Sequence, residues 1–159
     1  MEVDRDAAAS HIEGFLRAIG RDPDADPELA ETGRRVAEAF VDELCAGYTL
    51  SPQLLLRESA IEGTAELVVV RDVRLATTCP HHLMPAIGHA TVAFAPAGLL
   101  VGVGTIVTVL EACARRLVLQ EALGEDVVEA LDAELRPRWV GCRLVLTHGC
   151  MVARGERAH

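Results

Sequence analysis

Lysine is absent from all 159 residues, so arginine carries every positive side chain apart from histidine. We read that skew as a compositional bias of the source genome rather than a chemical demand for guanidinium groups. Long apolar runs are also missing. Half of the residues are hydrophobic, yet no stretch approaches the roughly 18 uninterrupted apolar residues that a membrane span requires. Positive charge is in deficit. With a formal net charge of -9 the chain as a whole repels nucleic acid and anionic membranes, and neither is expected as a partner. The opening Met1-Glu2-Val3-Asp4-Arg5-Asp6 is too acidic for a signal peptide, so a cytoplasmic location is expected. An even set of cysteines is lacking too: there are five, which argues against a disulfide framework and for reduced thiols used as core residues or ligands.

The length suits one domain with a real core, and we expect a helical part over residues 1–50 followed by a core over residues 64–159. Ile12, Phe15, Leu16 and Ile19 recur at helical spacing, and Gly20 with the acidic, proline-bearing stretch after it ends that helix. A second helix is predicted from about Pro27 to Ala46, with Val36, Phe40, Val41 and Leu44 on one face. Leu54 to Arg57 reads as a short extended piece, with nothing in it deciding between strand and irregular loop. Leu67 to Leu75 reads as a mostly buried strand and His89 to Ala95 as a second. Pro96-Ala97-Gly98 makes a turn, Leu99 to Val103 extends again, and Ile106 to Leu123 resumes a helical period. A further helix, Asp126 to Leu135, precedes a last strand, Gly141 to Thr147, that delivers His148-Gly149-Cys150. The order is α+β, without the strict alternation of a doubly wound parallel sheet.

Chemistry concentrates in two short clusters. Cys79-Pro80-His81-His82 sets a thiol and an imidazole three residues apart, close enough in a tight turn to bind one ion. His148-Gly149-Cys150 supplies another thiol and another imidazole at a distant strand end. Three protein ligands with a position left to water would make a hydrolytic site and four closed ligands a structural one; spacing leaves both open. Cys45, Cys113 and Cys142 fall on apolar patterns and read as core residues, and His89 and His159 carry no assigned role.

Several separated motifs, in order from about His11 to Arg157, resemble GTP cyclohydrolase I. Glu31-Thr32-Gly33-Arg34-Arg35-Val36-Ala37 is similar to the family's E-T-P-x-R-[VI]-A helix start, with Gly33 in place of proline. Thr78-Cys79-Pro80-His81-His82 resembles its T-C-E-H-H, Gln120-Glu121 its Q-E pair, and His148-Gly149-Cys150-Met151 with Arg154-Gly155 its H-x-C-M-x-x-R-G. The resemblance implies zinc held by Cys79, His82 and Cys150, with His81 and His148 as acid–base groups. It implies that Gln120 and Glu121 bind the base, Glu121 accepting the amino and ring N–H groups of guanine, and that Arg35 and Arg154 hold an anion. The implied reaction is hydrolytic opening of the imidazole ring at C8, on the way to pterins and tetrahydrofolate. The implied architecture is the tunnelling fold, an antiparallel sheet with helices on one face, assembled into homo-oligomeric rings, commonly decamers, with shared sites.

Departures from the pattern sharpen the expectation. Val103-Gly104-Thr105-Ile106-Val107-Thr108 stands where the family has [LV]-S-K-[IL]-x-R, so a serine and two triphosphate cations are replaced. Pro80 stands for glutamate, and the chain ends at His159 without the Ser/Thr-rich tail and helix that typically follow the R-G motif. A charge-assisted contact contributes about 1.5–3 kcal/mol, so losing two weakens a triphosphate by about two to four powers of ten. The expected substrate is therefore GTP or a guanine-type purine with fewer phosphates. The alternatives are a non-catalytic zinc-binding oligomeric subunit and a reductive relative with a nucleophilic cysteine; His82 and Cys150 disfavour the latter.

Overall fold

Three antiparallel strands carry the architecture: β2 (Val68–Thr78), β3 (Pro85–Ala95) and β5 (Trp139–His148), in the order β2-β3-β5. The computed structural model describes residues 3–153. A two-residue pair, β1 (Ile61–Glu62) with β4 (Leu99–Leu100), forms a second small sheet. Both β2 and β5 run antiparallel to β3, so the C-terminal ends of β2 and β5 meet at the edge where β3 begins.

Along β2 the buried positions are Val70, Leu75, Thr77 and the terminal Thr78, with Val69 left exposed. The register shifts by one residue between Val70 and Val73, where Asp72 adopts a left-handed φ of 55°. That bulge moves the inward-facing set from even to odd positions. The mostly buried strand expected over Leu67 to Leu75 is instead a half-buried one with an open face. Inward, Val92 and Phe94 of β3 pack into a core with Leu110 of α4 (Val103–Ala114), Leu123 and Leu131 of α5 (Gln120–Leu135) and Leu56 of α3 (Pro52–Ser59). Helices against one face of an antiparallel sheet make the α+β arrangement expected of the tunnelling fold.

Several element boundaries differ from the sequence expectation. Leu54 to Arg57 is helical, because Ser51 caps α3 by accepting a hydrogen bond from the Leu54 N–H and Pro52 sits in its first turn. The predicted helix from Ile106 to Leu123 is two helices: α4 ends at Ala114 and α5 starts at Gln120. Between them Arg116 donates to the carbonyls of Gly47 and Leu50, the Tyr48 hydroxyl accepts the Leu117 N–H, and the Val118 N–H donates to Thr78 O. Leu117 and Leu119 preserve a helical period, but these tertiary bonds claim the backbone. The extension after Leu99 is only two residues long before α4 begins.

The chain divides into two compact units, Met1–Ala46 and Gly47–His159, the latter holding the sheet. In the first unit α1 (Arg5–Ala18) is capped by Asp4, whose carboxylate accepts from the Ala7 N–H. The second helix starts later than expected, as α2 (Thr32–Glu38) continuing into a wider turn over Ala39–Leu44. Before it, Asp22 and Asp26 accept the N–H groups of Asp24 and Glu28, holding residues 22–31 in turns. Gly33 packs against α1 so closely that a Cβ there would lie 2.7 Å from the Ala9 carbonyl oxygen, leaving no room for the family's proline. Among the described residues no helix is long and apolar enough to cross a membrane.

Candidate metal centre

Cys79 follows directly from β2, and the turn it opens is closed by two backbone bonds: the Cys79 N–H donates to Met84 O and the Leu83 N–H to Cys79 O. Leu83 completes the reversal with a left-handed φ of 53°. On one side of β3, Thr78 pairs with Pro85; on the other, Ala86 pairs with His148. The middle strand therefore sets the ends of β2 and β5 side by side, and the short helix α6 (Gly149–Val152) places Cys150 there. Gly149 is required at this junction, since a Cβ would lie 2.7 Å from the Pro85 carbonyl oxygen.

The Sγ atoms of Cys79 and Cys150 and a ring nitrogen of His82 all lie within 4.8 Å of one another. Cys79 Sγ is 3.9 Å from His82 Nδ1. Bonds of roughly 2.0–2.3 Å to a single ion span a gap of that order. Both thiols are buried and His82 is exposed, so the group opens towards solvent on the imidazole side. Two sulfurs and one nitrogen form a donor set suited to a borderline-soft divalent ion, and three ligands leave a position for water.

The remaining thiols are chemically different. Burial pushes Cys113 and Cys142 up to about 11, and burial also raises Cys45. Neutral thiols in apolar surroundings are inert packing groups, the role expected for all three.

Of the other sequence candidates, His81 sits exposed in the turn, its ring edge-on to that of His82 at 6.2 Å between centroids. His148, partly buried, has Nε2 3.0 Å from Gln120 Oε1. Gln120 and Glu121 occupy the first turn of α5 and line a groove of about 510 Å³ with Gly124, Glu125, Cys142 and Leu144. Arg35 is exposed on α2, in the N-terminal unit. Arg154 lies outside the described residues. The feature that sequence reasoning missed is the tie between Thr78 and the α4–α5 connection, a parallel bridge to Leu117 plus the Val118 bond. It brings the start of α5 to the residue before Cys79, and no periodicity signals it.

The family profile described as GTP cyclohydrolase I matches residues 8–159. The GTP cyclohydrolase 1 of Synechococcus sp. (strain JA-2-3B'a(2-13)) is 41% identical over 155 residues, which is 97% of this chain and 67% of that protein. That of Rhodopirellula baltica is 38% identical over 156 residues, 98% and 67% respectively. The Brucella canis protein of the same name is 36% identical over 152 residues, 94% and 70%. The chain thus spans about two thirds of the length of these relatives.

Proposed function

The chain belongs to the GTP cyclohydrolase I family, and on that premise we propose that it is a zinc-dependent cyclohydrolase opening the imidazole ring of a guanine-type purine at C8, with release of formate. The observation that carries this reading is the convergence of Cys79, His82 and Cys150, three metal-ligating side chains from two distant segments, within 4.8 Å. These three would hold zinc, the two thiols as thiolates and His82 as a neutral imidazole. When bound there, the ion would supply a water acidic enough to act as a nucleophile near neutral pH.

The chain's own groups do the rest. Glu121 accepts the amino and ring N–H groups of guanine side by side, which orients C8. His81 and His148 move protons at the reacting carbon and the departing nitrogen. Arg35 and Arg154 hold an anionic group on the substrate.

The substrate is GTP or a purine with fewer phosphates, and the start of α4 favours the second. Gly104 and Thr108 are exposed there, and the Thr108 hydroxyl turns back to donate to the Gly104 carbonyl. A homo-oligomeric ring, decameric as is common in the family, belongs to the same reading. Strands β2 and β5, of 11 and 10 residues, each leave one edge without a strand partner among the described residues. Val69, Ile87 and Val145 are exposed on the outer sheet face. We take residues 1–159 as one functional domain, with a helical part over residues 1–50 and a catalytic core over residues 64–159.

The test is zinc content together with turnover of GTP, GMP, guanosine and guanine, followed by formate release. One zinc per chain with formate from at least one of these is expected. Stoichiometric zinc without formate from any of them would instead indicate a non-catalytic subunit.

A further inference from the structure

Gln120 matches the family pair that the resemblance assigns to the base, yet its carboxamide faces a histidine. Its Oε1 is 3.0 Å from His148 Nε2, and its Nε2 donates, at 3.5 Å, to the carbonyl of Leu144. The bond from its nitrogen to the Leu144 carbonyl orients the carboxamide with its oxygen, an acceptor, towards the imidazole. An acceptor opposite Nε2 requires a proton on Nε2, which in the neutral ring leaves the lone pair on Nδ1. Among the described residues that Nδ1 makes no capping bond, although His148 is the N-cap residue of α6.

Resting on the cyclohydrolase reading above, we propose that Gln120 is a positioning residue that holds His148 as the Nε2–H tautomer and aims Nδ1 at the reacting atoms. In the ring opening Nδ1 takes a proton from the water whose oxygen bonds to C8. The imidazolium returns that proton to the nitrogen that stays bonded to C8, and Nδ1 then carries the remaining hydroxyl proton to the other ring nitrogen as its bond to C8 breaks and the formyl carbonyl forms, so both water protons end on nitrogen while Gln120 accepts from Nε2–H throughout. The placement is built by the fold. The Thr78 tie starts α5 at Gln120, and the pairing of β3 with β5 ends at His148.

The experiment is ¹⁵N NMR of histidine-labelled zinc-loaded protein, with His148 assigned from a His148→Asn variant, combined with steady-state kinetics of Gln120→Met and Gln120→Glu. The wild type should show His148 protonated at Nε2. Gln120→Met should mix the tautomers and lower kcat about ten- to a hundredfold with KM within about twofold, the scale seen when an orienting partner is lost. Gln120→Glu keeps an acceptor and should restore the tautomer and most of kcat. A wild-type Nδ1–H ring, or a Gln120→Met variant that raises KM at unchanged kcat, would overturn the inference and return Gln120 to base binding. A protein inactive on every purine but holding the Nε2–H ring would defeat the cyclohydrolase reading while supporting the tautomer assignment.

Discussion

The metal end of the sheet and the first turn of α4 belong to the same compact unit, but their backbones are held very differently. At the sheet end Cys79 is fixed by bonds to Met84 and Leu83, Thr78 is tied to the segment before α5, and Gly149 touches the Pro85 carbonyl. At the start of α4, Gly102 caps the helix without a side chain, Val103 is 61% exposed, and a Cβ on Gly104 would meet nothing within 4 Å. A change at the sheet end must disturb several strands at once, whereas the α4 turn accepts new residues freely. The motif residues implied for zinc persist at the first place, and the family's serine, lysine and arginine are replaced at the second.

The largest test breaks the constrained side. Cys150→Ser removes one of the two thiolates in a set of three ligands and should abolish stoichiometric zinc and lower formate release by about a thousandfold or more, since a Lewis acid contributes several kcal/mol. Metal analysis and single-turnover assays read both. Full zinc in this variant would show that Cys150 is packing, and the comparison would lose its first term.

The permissive side should gain instead. Thr105→Lys combined with Thr108→Arg returns two cations, each worth about 1.5–3 kcal/mol against phosphate, so KM for GTP should fall by about a hundredfold or more with guanosine unchanged. An equal change for both substrates would mean that the turn does not meet the phosphates. In either case Tm should hardly move, because Thr108 is exposed and Thr105 is only partly buried.

What the sequence revealed divides along the same line. Cys79, His82 and Cys150 stood out because thiols and imidazoles at short spacing have few purposes, and β3 and β5 were legible from their apolar runs. The break at residues 115–119 was not, because Leu117 and Leu119 keep a helical period while the cause of the break lies in Gly47, Tyr48 and Thr78, distant in sequence. The helical turn at Leu54 to Arg57 has its signal in Ser51-Pro52, a cap and first-turn pair that lies outside the short apolar run itself. Asp72 hid the change of face in β2, since an alternation that skips one residue reads as a continuous buried run. The bond between His148 and Gln120 depends on that same unforeseen break, so the partner of an expected catalytic group stayed out of reach.

A milder substitution sharpens the contrast without touching a ligand. Gly149→Ala places a Cβ 2.7 Å from a backbone oxygen that cannot swing aside. It should cost about 1–3 kcal/mol, a fall in Tm of roughly 3–10 °C, and weaken zinc binding through Cys150. Gly141→Ala, in β5 with nothing within 4 Å of its Cβ, should leave both unchanged. Equal behaviour of the two variants would show that the sheet end is less constrained than the close approach implies.

Thiol chemistry gives the smallest effect and separates ligand from packing. At pH 8 Cys113 and Cys142, pushed up to about 11 by burial, stay neutral and should resist iodoacetamide whether or not metal is bound. Cys79 and Cys150 should be protected in the zinc-loaded protein and alkylated after chelation. The pH dependence has a definite sign. An unfolded thiol ionises near pH 8.5–9 and the buried ones near 11, so above about pH 9 the unfolded state loses protons that the folded state retains. Stability is then whole below pH 9 and declines as the pH rises towards 11. A Cys113→Ala variant should flatten that decline, whereas Cys79→Ala should remove the chelator-dependent labelling.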